Sequence, residues 1–177
     1  MTILSIILIV IATIIAIPLI IALFIKRAYY IERSILINKP VADVFNYVVH
    51  ITNQVHYNIW VQADPNLKQE FIGTDGTVGF INTWKGNNKA GEGRQEITNI
   101  IPNERVDLQL QFIRPFKSIM LGSTLTQNVL GNSTKVTSIV SGESKYPMNL
   151  MNLVMDKMLG KDMDTNLNNL KAIIEKQ

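Results

Sequence analysis

The chain has 177 residues, enough for about one domain with its own hydrophobic core once a terminal segment is set aside. It contains no cysteine, which excludes disulfides, thiolate nucleophiles and cysteine-based zinc sites. The formal net charge is +3, and from Ala28 onward fifteen basic residues are interspersed with fourteen acidic ones. Without a basic stripe, the composition argues against a nucleic-acid-binding protein.

An apolar run extends from Ile3 to Ile25 and is interrupted only by Ser5, Thr13 and Pro18. At 1.5 Å per residue it reaches about 34 Å, which exceeds the roughly 30 Å of a bilayer core. A retained transmembrane anchor is therefore the leading prediction. A cleaved signal peptide and a buried helix of a soluble protein are the alternatives, although no basic region precedes the run and it is longer than a signal's apolar stretch.

Basic residues follow this run directly, at Lys26 and Arg27. The positive-inside rule then predicts a single-pass membrane protein whose following domain lies in the cytoplasm. We expect two parts, a transmembrane anchor with its basic flank at residues 1–27 and a folded domain at residues 28–177. Because almost no linker separates them, the domain should sit close to the membrane.

The folded part begins with alternating residues over 29–37, a pattern that predicts a strand. Asn38 is then the expected N-cap of a short helix with Pro40 in its first turn. The predicted buried stripe of this helix consists of Val41, Val44, Phe45 and Val48. Residues 50–65 are less periodic and predict a second short helix or a loop.

Short extended runs separated by turn residues fill the next part of the chain, and this spacing is typical of an antiparallel sheet. With the first strand they predict about seven strands. The six runs are Leu67–Ile72, Val78–Trp84, Glu92–Ile101, Val106–Phe112, Ser118–Leu130 and Thr134–Ser141.

The last thirty residues predict one long helix, because apolar residues recur there at three- and four-residue steps. The apolar stripe rotates by roughly a third of a turn across Gly160, so the two halves should face different surroundings. Glycine in a helix interior also indicates a bend or a close contact. Five of the seven methionines lie in this segment, which is consistent with a core helix or with the wall of a ligand cavity. Such a helix would bury its stripe across the concave face of a curved sheet, giving an α+β fold.

This order of elements resembles the START-like helix-grip superfamily, also called SRPBCC, and in particular its polyketide cyclase/dehydrase and lipid-transport branch, whose members often carry an N-terminal membrane anchor. The segments that carry the resemblance are IERSILINKPVADVFNYV, WVQADPN, GTDGTVG, IIPNERV and FIRPFKS. The resemblance implies a curved antiparallel sheet wrapped around the C-terminal helix, with two short helices after the first strand. It also implies an apolar cavity between sheet and helix.

Given such a cavity, we expect eight apolar residues to contact a ligand, and core packing is the alternative for each of them. They are Trp60, Phe80, Trp84, Phe112, Met120, Met151, Met155 and Met158. Arg94, Arg114 or His56 could supply a polar contact.

Catalytic chemistry has little support in the sequence. The only histidines, His50 and His56, lie outside any metal-binding motif, and no nucleophilic serine motif is present. Glu92 and Glu96 share one face of a predicted strand, either as a buried acid–base pair or, as we expect, on the solvent face. We therefore predict no catalytic residue, no metal and no cofactor.

Three functions remain open. The leading one is a membrane-anchored binding protein for a hydrophobic, lipid-like small molecule. A cyclase or hydratase would instead need at least two titratable groups in the cavity. A regulatory interaction module with a filled core would have no cavity larger than a few waters, and the sequence identifies no protein partner.

Overall fold

A computed structural model describes residues 2–129 and 131–177 of the chain. Helix α1 spans Ile3–Phe24, and the hydroxyl of Thr2 accepts a hydrogen bond from the Ser5 amide at its start. Its 22 residues correspond to about 33 Å, and nearly all of its side chains are exposed, Ala22 being the buried exception. The helix is therefore long and apolar enough to cross a membrane.

Seven antiparallel strands form one sheet in the order β1-β7-β6-β5-β4-β3-β2, as expected from the alternating pattern. The first strand pairs with the last and forms one edge of the sheet. The predicted end of the sixth of these strands, Leu130, lies outside the described residues. The strands are β1 Ala28–Ile37, β2 Lys68–Ile72, β3 Ile81–Lys85, β4 Glu92–Ile101, β5 Arg105–Arg114, β6 Ser118–Val129 and β7 Ser133–Glu143.

Short helices follow the first strand: α2 Val41–Val48, a 3-10 turn at Ile51–Asn53, α3 Gln54–Tyr57 and α4 Ile59–Gln62. The predicted role of Asn38 as a helix cap is wrong. Helix α2 has Pro40 at its N-cap and no side-chain cap, because the side-chain oxygen of Asn38 instead accepts a hydrogen bond from the Ser133 hydroxyl at 3.2 Å. Val44, Phe45 and Val48 are buried as predicted.

The C-terminal helix α5 spans Asn152–Ile174 and follows a 3-10 turn at Met148–Met151. Its two halves do face different surroundings. Beyond Gly160 its apolar residues are buried against β1, β7 and α2, whereas Met158 in the first half and Met151 in the preceding turn are exposed. At the transition, the guanidinium of Arg33 lies against Gly160 and pairs with Asp156 at 3.1 Å.

Strand register places one end of the sheet next to the end of α1. At this end β1 and β7 pair through Ala28 and Glu143, and β4 and β5 pair through Glu92 and Arg114. The buried Asn149 amide donates to the carbonyl oxygens of Ala22 at 2.6 Å and of Ile25. Since these carbonyls belong to the last turn of α1 and the residue after it, the helix end is fixed to the domain at this rim.

Candidate ligand cavity

A partly enclosed cavity of about 210 Å³ lies between the concave face of the sheet, the short helices and α5. Most of its lining is apolar. The apolar residues of the lining are Trp60, Val61, Leu67, Trp84, Ala90, Leu110, Phe112, Met120, Val140 and Leu159. An engineered cavity of about 150 Å³ in another protein stays dry and binds benzene, so a space of this size holds a small organic ligand.

Trp84 lines the cavity, and contacts with three neighbouring residues fix its position. Its indole N–H donates to the Ala90 carbonyl at 3.1 Å, and its ring meets Phe112 edge-on with centroids 5.6 Å apart. Beneath it lies Gly93, where an added Cβ would stand 2.7 Å from the indole and 2.5 Å from the Gln111 carbonyl oxygen. The absence of a side chain at Gly93 therefore allows the indole ring to pack directly against β4.

Trp60 stands at the edge of the cavity, 38% exposed, and is held by the C-terminal helix. Its indole N–H donates to Asp162 at 3.0 Å, and the neighbouring Ile59 amide donates to Asn166 at 2.9 Å. Asn169 donates to the Tyr57 carbonyl at 3.1 Å. These three α5 residues lie four and three positions apart, so a single helix face positions the α3–α4 segment over the cavity.

Six polar side chains from the described part of the chain line the cavity, and the two that are buried lie on neighbouring strands. Asn82 and Gln95 pair across β3 and β4 and are 2% and 5% exposed. The Gln95 amide donates to the Gln54 side-chain oxygen at 3.0 Å, whereas the side-chain oxygen of Asn82 has no partner among the described residues. Among the described lining residues, Lys89 is the single titratable side chain.

Four of the eight predicted contact residues line the cavity together: Trp60, Trp84, Phe112 and Met120. That they bind a ligand stays a prediction.

The other four lie elsewhere. Phe80 is buried in a core cluster with Phe45 and Ile97, and Met155 packs against a second cluster around Met163. Met151, in the 3-10 turn before α5, and Met158, in its first half, are 44% and 57% exposed, because the helix turns Met155 and Leu159 toward the sheet instead.

The three predicted polar contacts also lie outside the cavity. Arg94 pairs with Glu96, and Arg114 pairs with Glu92 at 3.0 Å. Glu92, Arg94 and Glu96 alternate with the buried residues of β4, so they occupy the outer face of the sheet. His56 is exposed on α3. The positions of these three side chains therefore do not support the predicted polar contact with a ligand in the cavity.

Sequence reasoning missed the polar lining residues, of which Asn82 and Gln95 are the buried ones. A usable signal existed at β3, where Phe80, Asn82 and Trp84 alternate and so share one face. An amide between two aromatic residues on an inward face is an unusual choice for a filled core, because a buried amide needs hydrogen-bond partners.

No protein-family model matches the chain, and a search of curated proteins finds no match. Solved structures do resemble it. Norcoclaurine synthase from Thalictrum flavum, in complex with dopamine and hydroxybenzaldehyde, is 12% identical with a TM-score of 0.66, covering 89% of this chain and 92% of the synthase. The protein Ara h 8.0201 is 14% identical with a TM-score of 0.57, covering 85% of this chain and 99% of its own.

The di-domain ARO/CYC StfQ from the steffimycin biosynthetic pathway is 10% identical with a TM-score of 0.62. The match covers 85% of this chain and 51% of that one. Identities this low show the fold alone. They confirm the predicted helix-grip fold, a curved antiparallel sheet with a long C-terminal helix.

Proposed function

We propose that this chain is a membrane-anchored binding protein for a small hydrophobic molecule. The observation that carries the proposal is the apolar cavity, whose two tryptophans are fixed in place by hydrogen bonds to other residues of the chain. Pre-formed apolar clefts with a few oriented polar groups are the usual form of small-molecule sites. Such a cavity does not fit the alternative of a filled-core interaction module.

The size of the cavity restricts the ligand. Its volume of about 210 Å³ lies below the roughly 300–1,000 Å³ of sites for drug-sized ligands. A one- or two-ring compound or a short apolar chain fits this space, and a complete two-chain lipid does not. Binding is favoured over cyclase or hydratase chemistry, because acid–base catalysis needs convergent titratable groups and the described lining offers Lys89 alone.

The position of the cavity supports supply from a membrane. Trp84, Phe112 and Met120 lie within a few residues of the strand ends that face α1, as their pairing with Gly93, Ser118 and Gly142 requires. We keep the division into an anchor at residues 1–27 and a domain at 28–177, with the domain on the cytoplasmic side, as part of this proposal. An anchored cavity could then take up an apolar molecule that partitions into the bilayer.

Native mass spectrometry of the full chain, purified in lipid nanodiscs and followed by extraction, tests binding directly. We expect a co-purifying small organic mass. Leu110→Phe, which fills the cavity, should abolish it, whereas Leu121→Phe on the exposed outer face of β6 should not. A clean unliganded mass, with no response of the tryptophan fluorescence to hydrophobic probes, would contradict the proposal.

A further inference from the structure

One group in the cavity wall is left without a hydrogen-bond partner. Asn82 is 2% exposed and lines the cavity, and its side-chain oxygen is a buried acceptor with no partner within residues 2–129 and 131–177. Buried polar groups are nearly always paired, so a single orphan in a binding cavity requires an explanation.

The side chains next to Asn82 on the sheet do not pair with its oxygen. Gln95, directly opposite Asn82 on β4, directs its amide N–H to Gln54 at 3.0 Å. The side chains before and after Asn82 on the same face are Phe80, which offers no donor, and Trp84, whose N–H is bound to the Ala90 carbonyl. The described residues therefore leave this oxygen unpaired as they are arranged, and a molecule in the cavity is one source of the missing donor.

The charge of the lining restricts what that donor can be. No carboxylate lies among the described lining residues, and the one charged side chain, Lys89, is a cation. A ligand ammonium would be desolvated there without a counter-ion, which costs far more free energy than a neutral group does. A hydroxyl or an amide N–H meets the oxygen at no such cost.

We propose that Asn82 accepts a hydrogen bond from a neutral donor, a hydroxyl or amide N–H, on a small and otherwise apolar ligand. This rests on the proposed binding function and makes Asn82 the residue that selects among apolar molecules of similar shape. Sites built to pair with a ligand hydroxyl discriminate strongly against analogues that lack it, because the site's polar group is then buried unpaired.

The test uses the full chain in nanodiscs and two probes of similar shape, cyclohexylmethanol and its methyl ether, which lacks the donor. Binding is followed by the fluorescence of Trp60 and Trp84, which are the only tryptophans and both line the cavity. Each probe is titrated into the wild type, Asn82→Leu and a control, Thr83→Val, which changes the next residue on the opposite face of β3. Comparing proteins for one probe cancels its partition into lipid.

For the alcohol, we expect Asn82→Leu to raise Kd about three- to tenfold, which is the usual contribution of one hydrogen bond. The ether should bind Asn82→Leu as well as or better than wild type, and Thr83→Val should change neither. If Asn82→Leu does not fold, as judged by circular dichroism, Asn82→Val removes the same acceptor with a residue suited to a strand.

The outcomes separate the two proposals. If both probes bind wild type and respond equally to the loss of Asn82, the donor assignment is wrong and the binding function stands. If neither probe changes the fluorescence of any variant, the binding function fails and this inference fails with it.

Discussion

At the residue scale, Asp107 shows how one carboxylate joins three strands. It accepts hydrogen bonds from Ser123 on β6 at 2.5 Å, from Asn99 on β4 at 3.0 Å and from Arg105 on its own strand at 2.7 Å. Burial by itself would raise the pKa of Asp107, but these hydrogen bonds and the charge of Arg105 outweigh it and hold the pKa below its ordinary value of 3.8.

This lowered pKa predicts an acid-sensitive contribution to stability. A carboxylate with a depressed pKa in the folded state stabilises the protein above its unfolded pKa, and the contribution is lost as the pH falls through the folded pKa. Asp107→Asn should therefore lower the melting temperature at pH 7, by an amount corresponding to roughly 1 kcal/mol. Below pH 3.8 the difference from wild type should shrink.

Thermal unfolding of both proteins in nanodiscs at pH 7 and near pH 3 measures this. Glu104→Gln, an exposed acid in the turn before β5, is the control and should show no such dependence. If Asp107→Asn lowers the melting temperature equally at both pH values, the stabilisation does not depend on the negative charge of Asp107.

At the scale of elements, α5 contains two helical halves joined at Gly160. The Arg33 side chain crosses the helix there and pairs with Asp156 on one side and with Asp164 at 3.4 Å on the other. A Cβ at position 160 would collide with the guanidinium. The glycine therefore serves the contact between β1 and α5, which the sequence indicated only as a bend or a close approach.

A double-mutant cycle tests this relation. Gly160→Ala alone should change the free energy of unfolding little, because its helix propensity gain of about 1 kcal/mol is offset by displacing Arg33 from its ion pairs. In an Arg33→Ala background the collision is absent, and Gly160→Ala should stabilise by about 1 kcal/mol. Chemical unfolding measures each corner of the cycle.

The matched background is Arg105→Ala, an exposed arginine on β5, three strands away from β1, where Gly160→Ala should keep its small effect. Equal effects of Gly160→Ala in all three backgrounds would show that Arg33 does not constrain the glycine.

At the scale of the whole molecule, hydrogen bonds fix the end of α1 to one rim of the domain. The Tyr146 hydroxyl donates to the Leu19 carbonyl at 3.3 Å, five residues before the end of α1 and thus about 7–8 Å along the helix. Met148 beside it is 46% exposed, and Lys145 precedes it. If α1 crosses a bilayer, this loop lies at the depth of the headgroups, where tyrosine and lysine are favoured.

The absence of cysteine makes this depth measurable by labelling at one introduced site. An NBD dye on Met148→Cys should emit at shorter wavelength and be quenched by spin-labelled lipid in nanodiscs. The same dye on Gln127→Cys, exposed at the opposite end of β6, should emit at the longer wavelength of a dye in water and should not be quenched. Identical emission and quenching at the two positions would contradict a domain seated on its anchor.

Much of this architecture was predictable because its signals are local. Alternation over 29–37 and 106–112 produces strands, and three- and four-residue steps produce α5, since side chains repeat every two residues in a strand and every 3.6 in a helix. The apolar length of α1 likewise depends on nothing beyond its own residues. The helix-grip fold followed from the order of these elements together with the family resemblance.

Local patterns could not predict which residues line the cavity, because the lining depends on contacts between segments that are distant in the sequence. Met120 faces the cavity while Met151 and Met158 do not, since the docking of α5 beyond Gly160 determines which face of its first half meets the sheet. The role proposed for Asn82 depends on its pairing with Gln95 across β3 and β4. Gln95 donates to Gln54, and the Asn82 oxygen is left unpaired. Local periodicity thus determined the elements by itself, and tertiary register and helix rotation alone decided which side chains enclose the cavity.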